Sequence, residues 1–191
     1  QIAAYDAAGN LSALSSAVAG NTLGAFTGTK LYGTTLGDYG SRVVADSGGN
    51  IYLTGRTQGN LDNQTNAGNM DIFLTKYDGS GSRFWTRLSG TAGNDSGSGI
   101  AVDSSGNVYV TGDTRGNLDG QTNAGNTDIF LTKYDSSGNS LWTRLSGTTG
   151  EDFGTGVAVD ASGNIYVAGY TFGNLDGQTN AGGMDIFLMK Y

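Results

Sequence analysis

A unit of 57 residues recurs along this chain, and nothing else in the sequence narrows the fold as much. DIFLTKY occupies Asp71–Tyr77 and returns at Asp128–Tyr134, and DIFLMKY follows at residues 185–191. NIYLTG at 50–55, NVYVTG at 107–112 and NIYVAG at 164–169 keep the same interval, as do Trp85 and Trp142. Residues 58–103 laid on 115–160 match at 34 of 46 positions. Copies this alike form one structural unit repeated, each burying its apolar faces against its neighbours.

Each unit reads as four short strands. In the middle copy they cover 99–103, 107–111, 128–134 and 140–145. Val108 and Val110 alternate with Tyr109 and Thr111, and Ile129 and Leu131 with Phe130 and Thr132, a period of two in β-branched and aromatic residues. The D-x-x-G-N turns beginning at Asp46, Asp103 and Asp160 supply an Asx side chain and a glycine for positive φ, so the first two strands form a hairpin. The YDSSGN-type turn joins the last two. Four antiparallel strands per unit, apolar on both faces, predict an all-β fold of β-propeller blades. A parallel β-helix is the alternative, but its rungs are shorter and the GGxGxD signature is absent. A β-sandwich would not need copies so similar.

The pattern D-x-x-G-N-[IV]-Y-[VL]-[TA]-G, then D-I-F-L-x-K-Y-D-x-x-G and a tryptophan on the fourth strand, resembles the bacterial seven-bladed β-propeller repeats. The resemblance covers residues 38–191. It implies secreted or surface-exposed propellers and carries no catalytic residues with it.

The units divide the chain into an N-terminal partial repeat (1–31), blade 1 (32–89), blade 2 (90–146) and blade 3 (147–191), the last without its outer strand. YDAAGN at 5–10 matches the turn between strands three and four, and Lys30-Leu31 matches Arg144-Leu145. About 15 extra residues lie between these matches, and Gly28 stands where the tryptophan belongs. The strand lacking at one end is therefore the one left over at the other. Three readings follow: a partial propeller from a larger ring, two chains joined into six blades, or chains donating strands head to tail. The partners expected are copies of the chain or the rest of a larger propeller, with a surface glycan or protein as ligand.

Composition limits the function. The net charge is −7, Glu151 is the only glutamate, and ten Lys and Arg are scattered, so no basic footprint for nucleic acid exists. Without His or Cys there is no Ser–His–Asp triad, Cys–His pair or imidazole-bound zinc. No apolar run is long enough to span a membrane as a helix. The expectation is a non-catalytic extracellular or cell-surface module for scaffolding, self-assembly or binding. A lectin-like, calcium-dependent propeller is the alternative.

Three groups of residues are candidates for function. The loops between strands two and three carry oxygen side chains at alternate positions: Asp62, Gln64, Asn66 and Asp71; Asp119, Gln121, Asn123 and Asp128; Asp176, Gln178, Asn180 and Asp185. Ca²⁺ takes six to eight oxygens from such spacing. The competing reading is a loop ordered by its own Asx and amide hydrogen bonds. Trp85 and Trp142, with Arg87 and Arg144 two residues on, form either a sugar-stacking platform or packing between blades. Tyr170 and Phe172 lie where the copies diverge: Arg56, Asp113 and Tyr170 are equivalent, as are Gln58, Arg115 and Phe172, and Tyr39, Ser96 and Phe153. They form either a ligand contact or drift on a loop.

Overall fold

A computed structural model describes residues 27–191. The expected turn at 5–10 and most of the insertion after it lie outside that range. Eleven strands form three antiparallel sheets. The first runs in the order β1 (Asp38–Ala45), β2 (Ile51–Thr57), β3 (Asp71–Tyr77) and β4 (Arg83–Ser89). The second is β5 (Asp95–Val102), β6 (Val108–Thr114), β7 (Asp128–Tyr134) and β8 (Ser140–Ser146). The third holds β9 (Asp152–Val159), β10 (Ile165–Thr171) and β11 (Asp185–Lys190). These are three blades of a β-propeller, with β1, β5 and β9 innermost, and they form a partial ring.

The hairpins form for the local reason the sequence supplies. Asp103 accepts hydrogen bonds from the Asn107 backbone N–H at 2.9 Å and its side-chain amide at 2.8 Å, while Gly106 takes φ 80°. The Tyr109 hydroxyl closes on the same carboxylate at 3.0 Å. Asp46 and Asp160 repeat the arrangement with Asn50 and Asn164.

The blades bury both faces by stacking. Tyr52, Ile72 and Leu74 of blade 1 meet Val108, Val110, Phe130 and Tyr134 of blade 2. From the other face of blade 2, Tyr109, Ile129 and Leu131 meet Ile165, Val167 and Met189 of blade 3. Each of these aliphatic side chains, fully buried, contributes roughly 1.5–3 kcal/mol. Leu61, Leu118 and Leu175 pin each long loop into the same layer.

One expectation needs correction. The sequence pattern places the inner strand of the middle blade at 99–103, yet β5 starts at Asp95 and the equivalent β9 at Asp152, so both take in the glycine-rich residues ahead of that point. These segments are strands in spite of their glycines because the inner strands of neighbouring blades crowd together. A Cβ on Gly97 would lie 2.4 Å from Thr54 Oγ1 of blade 1, and one on Gly154 would lie 2.6 Å from Thr111 Oγ1 of blade 2. Each inner strand is bulged nearby, between Gly97 and Gly99 in β5.

Candidate functional site

The tryptophans are packing residues. The Gly138 backbone in the β7–β8 turn of blade 2 lies against the Trp85 ring of blade 1, where an added Cβ would be 3.1 Å from it. Arg87 donates from Nε to Gly138 O at 2.9 Å and from Nη2 to Ser137 O at 3.0 Å. Trp85 also tilts against Tyr52, and Trp142 repeats that contact with Tyr109. Trp85 is thus covered by the turn of the next blade, and Trp142 packs at the edge of the cluster between blades 2 and 3.

Many of the polar groups of these loops are engaged by the loops themselves. Asn66, Asn123 and Asn180 turn their amides inward to the carbonyls of Thr57, Thr114 and Thr171 at 3.0, 3.1 and 3.3 Å. Their side-chain oxygens accept from the N–H groups of Gly68, Gly125 and Gly182. Asp71, Asp128 and Asp185 accept from Ala67, Ala124 and Ala181 N–H at 2.7, 2.6 and 2.5 Å. Asp119 accepts from the Thr143 hydroxyl at 2.6 Å, and Asp62 from Tyr32 and Thr86 with Arg83 at 2.5 Å. Gln64, Gln121 and Gln178 enter through backbone N–H bonds to Leu61, Leu118 and Leu175 at 2.9 Å. One carboxylate oxygen of Asp71 and of Asp128 thus serves the loop backbone, while Oδ1 of each is buried without a hydrogen-bond partner. No group of three or more carboxylates among the described residues could hold a metal. In blade 3, Asp176, Gln178, Asn180 and Asp185 border an open cleft of about 340 Å³.

The structure assembles a different site, from the positions at which the copies differ. Those positions are cross-strand partners on the inner hairpins: Tyr39 with Arg56, Ser96 with Asp113, and Phe153 with Tyr170. Arg56, Ser96, Asp113, Arg115, Phe153 and Tyr170 line one cavity of about 410 Å³ spanning all three blades. The Arg56 guanidinium lies over the Tyr39 ring at 5.0 Å, and its buried Nε has no hydrogen-bond partner. Phe153 and Tyr170 stack at 4.9 Å between centroids, and Phe172 meets Tyr170 edge-on at 6.2 Å. Arg115 reaches Glu151 at 3.7 Å, a pair half exposed on both sides. Tyr170 lines the cavity from β10, and Phe172 lies just beyond the end of that strand. The signal for the other residues was present in the same comparison of copies. What it could not show was that the pairs converge.

Two carboxylates border this cavity, and their roles differ. Asp95 is wholly buried and accepts from Thr91 N–H at 2.6 Å and from the Thr114 hydroxyl. Asp38 and Asp152 make the same bonds in their blades, to Thr34 and Thr57 and to Thr148 and Thr171. This is a repeated anchor between the start of the inner strand and the end of the next. Asp113 has no such anchor. Burial pushes its carboxyl up to about 6, with Arg56 and Arg115 opposing and Asp95 adding to the rise.

A pH dependence follows. Between about pH 4, the ordinary aspartate value, and about pH 6, folded Asp113 keeps a proton that the unfolded chain has released. Stability therefore falls as pH rises through that window and levels off above it. Asp71 and Asp128, also raised by burial, act in the same sense. Asp135 and Asp160, held low by hydrogen bonds from Asn139 and Asn164, act oppositely but only below about pH 4. Asp113→Asn is expected to remove roughly 2 kcal/mol of this slope. Urea midpoints measured from pH 4 to pH 7 check it, and parallel profiles for the two proteins would contradict the assignment.

Comparison with known proteins agrees with the blades. The beta-propeller repeat (SBBP) family matches residues 28–62, 85–119 and 141–176. These segments make up more than half of the chain, and the chain belongs to that family. It is 30% identical to the regulatory protein FlaEY of Caulobacter vibrioides, over 86% of this chain and 19% of that protein. It is 32% identical to an uncharacterized WD repeat-containing protein of Acanthamoeba polyphaga mimivirus, over 61% of this chain and 10% of that protein. The chain thus spans about a fifth of the first relative's length and a tenth of the second's.

Proposed function

We propose that this chain is a non-catalytic protein-binding module, secreted or displayed at the cell surface, whose contact site is the cavity between the inner hairpins. One observation carries the reading. The copies are nearly identical along much of their scaffold, but five of the six residues in their three paired differences, all except Tyr39, line a single cavity. Scaffold positions in stacked repeats do equivalent jobs and stay alike. Specialised chemistry at one equivalent position in each copy is what a ligand contacting all three would require.

The cavity's chemistry favours a segment with a carboxylate for Arg56, whose Nε is unmatched, next to an apolar group for the Phe153–Tyr170 shelf. The matches to a regulatory protein and a WD repeat-containing protein are compatible with a module that binds other proteins. The lack of His and Cys, and the engagement of Asp95 in its anchor, support a non-catalytic role. For the compartment, the support is compositional: a low charged fraction and an abundance of small polar residues. No helix of the described residues is long and apolar enough to cross a membrane.

A peptide display selection against the purified chain tests this. Selected peptides should lose at least about tenfold in affinity to both Arg56→Ala and Tyr170→Ala, as buried aromatic and arginine anchors do. Peptides indifferent to both substitutions would remove the site. The stacked Phe153–Tyr170 pair beside Arg56 and Asp113 also favours a second reading, a sugar ring on that shelf. Glycan-array binding that is lost in Tyr170→Ala would select it.

A further inference from the structure

One strand position carries a different side chain in each blade, and all three side chains line the same cavity. They are Arg56 on β2, Asp113 on β6 and Tyr170 on β10. Arg56 and Tyr170 bring hydrogen-bond donors, whereas an ionised carboxylate is an acceptor only. Asp113 therefore opposes a ligand carboxylate when it is ionised and can donate to one when it holds a proton.

The groups around Asp113 act on it by charge, and no hydrogen bond anchors it. Arg56 faces it from blade 1, Asp95 from its own hairpin and Arg115 from the end of β6. Asp95 is already engaged, accepting from Thr91 N–H at 2.6 Å, from the Thr114 hydroxyl and from Arg115 N–H at 3.3 Å. Glu151 of blade 3 matches the Arg115 guanidinium at 3.7 Å. On the remaining sides β7 sets uncharged Ile129 opposite Asp113, and blade 3 brings Phe153 and Tyr170 into the cavity. Arg56, with its buried Nε unpartnered, is the cation left for a carboxylate. A ligand carboxylate placed there shares that cation with Asp113 within about 410 Å³. Like charges so close favour protonation of the weaker acid. Burial has already pushed Asp113 up to about 6, so it is the group that takes the proton.

We propose that the cavity takes up an acidic ligand together with a proton, which Asp113 holds, so that binding is tight in mildly acid solution and weaker at neutral pH. This coupling rests on the reading of the cavity as the contact site and adds a regulation to it. The sign follows from linkage. A carboxylate beside Asp113 keeps its proton on to higher pH, so the bound protein carries more protons than the free one above about pH 6. Affinity falls as pH rises through that range and is level below about pH 5.

N-acetylphenylalanine, a carboxylate next to an aromatic ring, is the probe, and its carboxamide is the neutral control. The acid is ionised from pH 5 upward. Calorimetric titration of the 191-residue chain should show the acid binding about tenfold more tightly at pH 5 than at pH 7.5, and the carboxamide binding equally weakly at both. Asp113→Asn, which mimics the protonated carboxyl, should bind the acid at both pH values as the unsubstituted chain does at pH 5. Titrations at pH 6.5 in buffers of different ionisation enthalpy should reveal uptake of roughly half a proton per acid bound, and none in Asp113→Asn. Circular dichroism should show the same fold throughout. Equal affinity at the two pH values, still weakened by Arg56→Ala and Tyr170→Ala, would overturn the coupling and keep the cavity as the contact site. A pH dependence that persists in Asp113→Asn, or an acid that does not bind at pH 5, would also overturn it. Binding indifferent to both Arg56→Ala and Tyr170→Ala would remove the cavity itself.

Discussion

Replacing Gly112 with alanine is expected to destabilise the fold by roughly 3–5 kcal/mol, at the top of the range for a single substitution. The added Cβ would lie 1.8 Å from the Ser96 carbonyl oxygen and 2.9 Å from the Phe130 ring. The first of these is backbone in the paired inner strand and has no rotamer with which to yield. Either the β5–β6 ladder parts or its bulge moves. Both outcomes displace Ser96 and Asp113, so ligand binding should fall with stability. Gly156→Ala is the control, because its Cβ would meet nothing within 4 Å. It should change the urea midpoint little or raise it slightly, through the lower entropy of the unfolded chain. Equal midpoints for the two variants would refute the account of the crowded inner strands.

Phe130→Ala should cost about 3–5 kcal/mol. Its ring is fully buried in the cluster between blades 1 and 2, with Leu145 opposite it on β8. Truncation leaves a cavity walled by strands of two sheets, and these cannot close on it without losing register. Phe187→Ala removes the same side chain at the equivalent position of blade 3. There the strand is at an edge and the ring is only half-buried, so roughly 1–2 kcal/mol is expected, from the smaller apolar area removed from water. Denaturant titrations should rank Phe130→Ala well below Phe187→Ala. Equal losses would show that stacking between blades does not carry the stability.

Much of the fold was legible in the sequence. The third strand of the middle blade lies where the sequence places it, because DIFLTKY alternates cleanly and is bounded by an aspartate and a turn. The Asp103–Asn107 hairpin was equally clear, since its hydrogen bonds span only four residues. The inner strands were shortened because GNDSGSG carries no apolar alternation. Its strand state comes from pairing with β6 and from the space that Thr54 leaves, both outside any local window.

The candidate site was less legible. Asp119, Asn123 and Asp128 have the composition of a cation loop, but direction decides their role. Asn123 Oδ1 and Asp128 Oδ2 face the loop's own N–H groups and Asp119 Oδ2 the Thr143 hydroxyl, leaving Asp128 Oδ1 without a partner. Trp85 and Arg87 looked like a platform until the turn at Ser137 and Gly138, 50 residues on, was found seated against them. Tyr39, Arg56, Ser96, Asp113, Phe153 and Tyr170 were visible as differences between copies, but not as a set with a shared position.

By itself the sequence determined the repeating unit, its hairpins and the stacking of like units, because alternation and Asx turns are encoded within about ten neighbouring residues. Only the tertiary structure decided that Arg56, the Ser96–Asp113 pair and the Phe153–Tyr170 pair border one cavity. That depends on contacts between residues about one repeat apart or more, and such distances leave no trace in the local pattern.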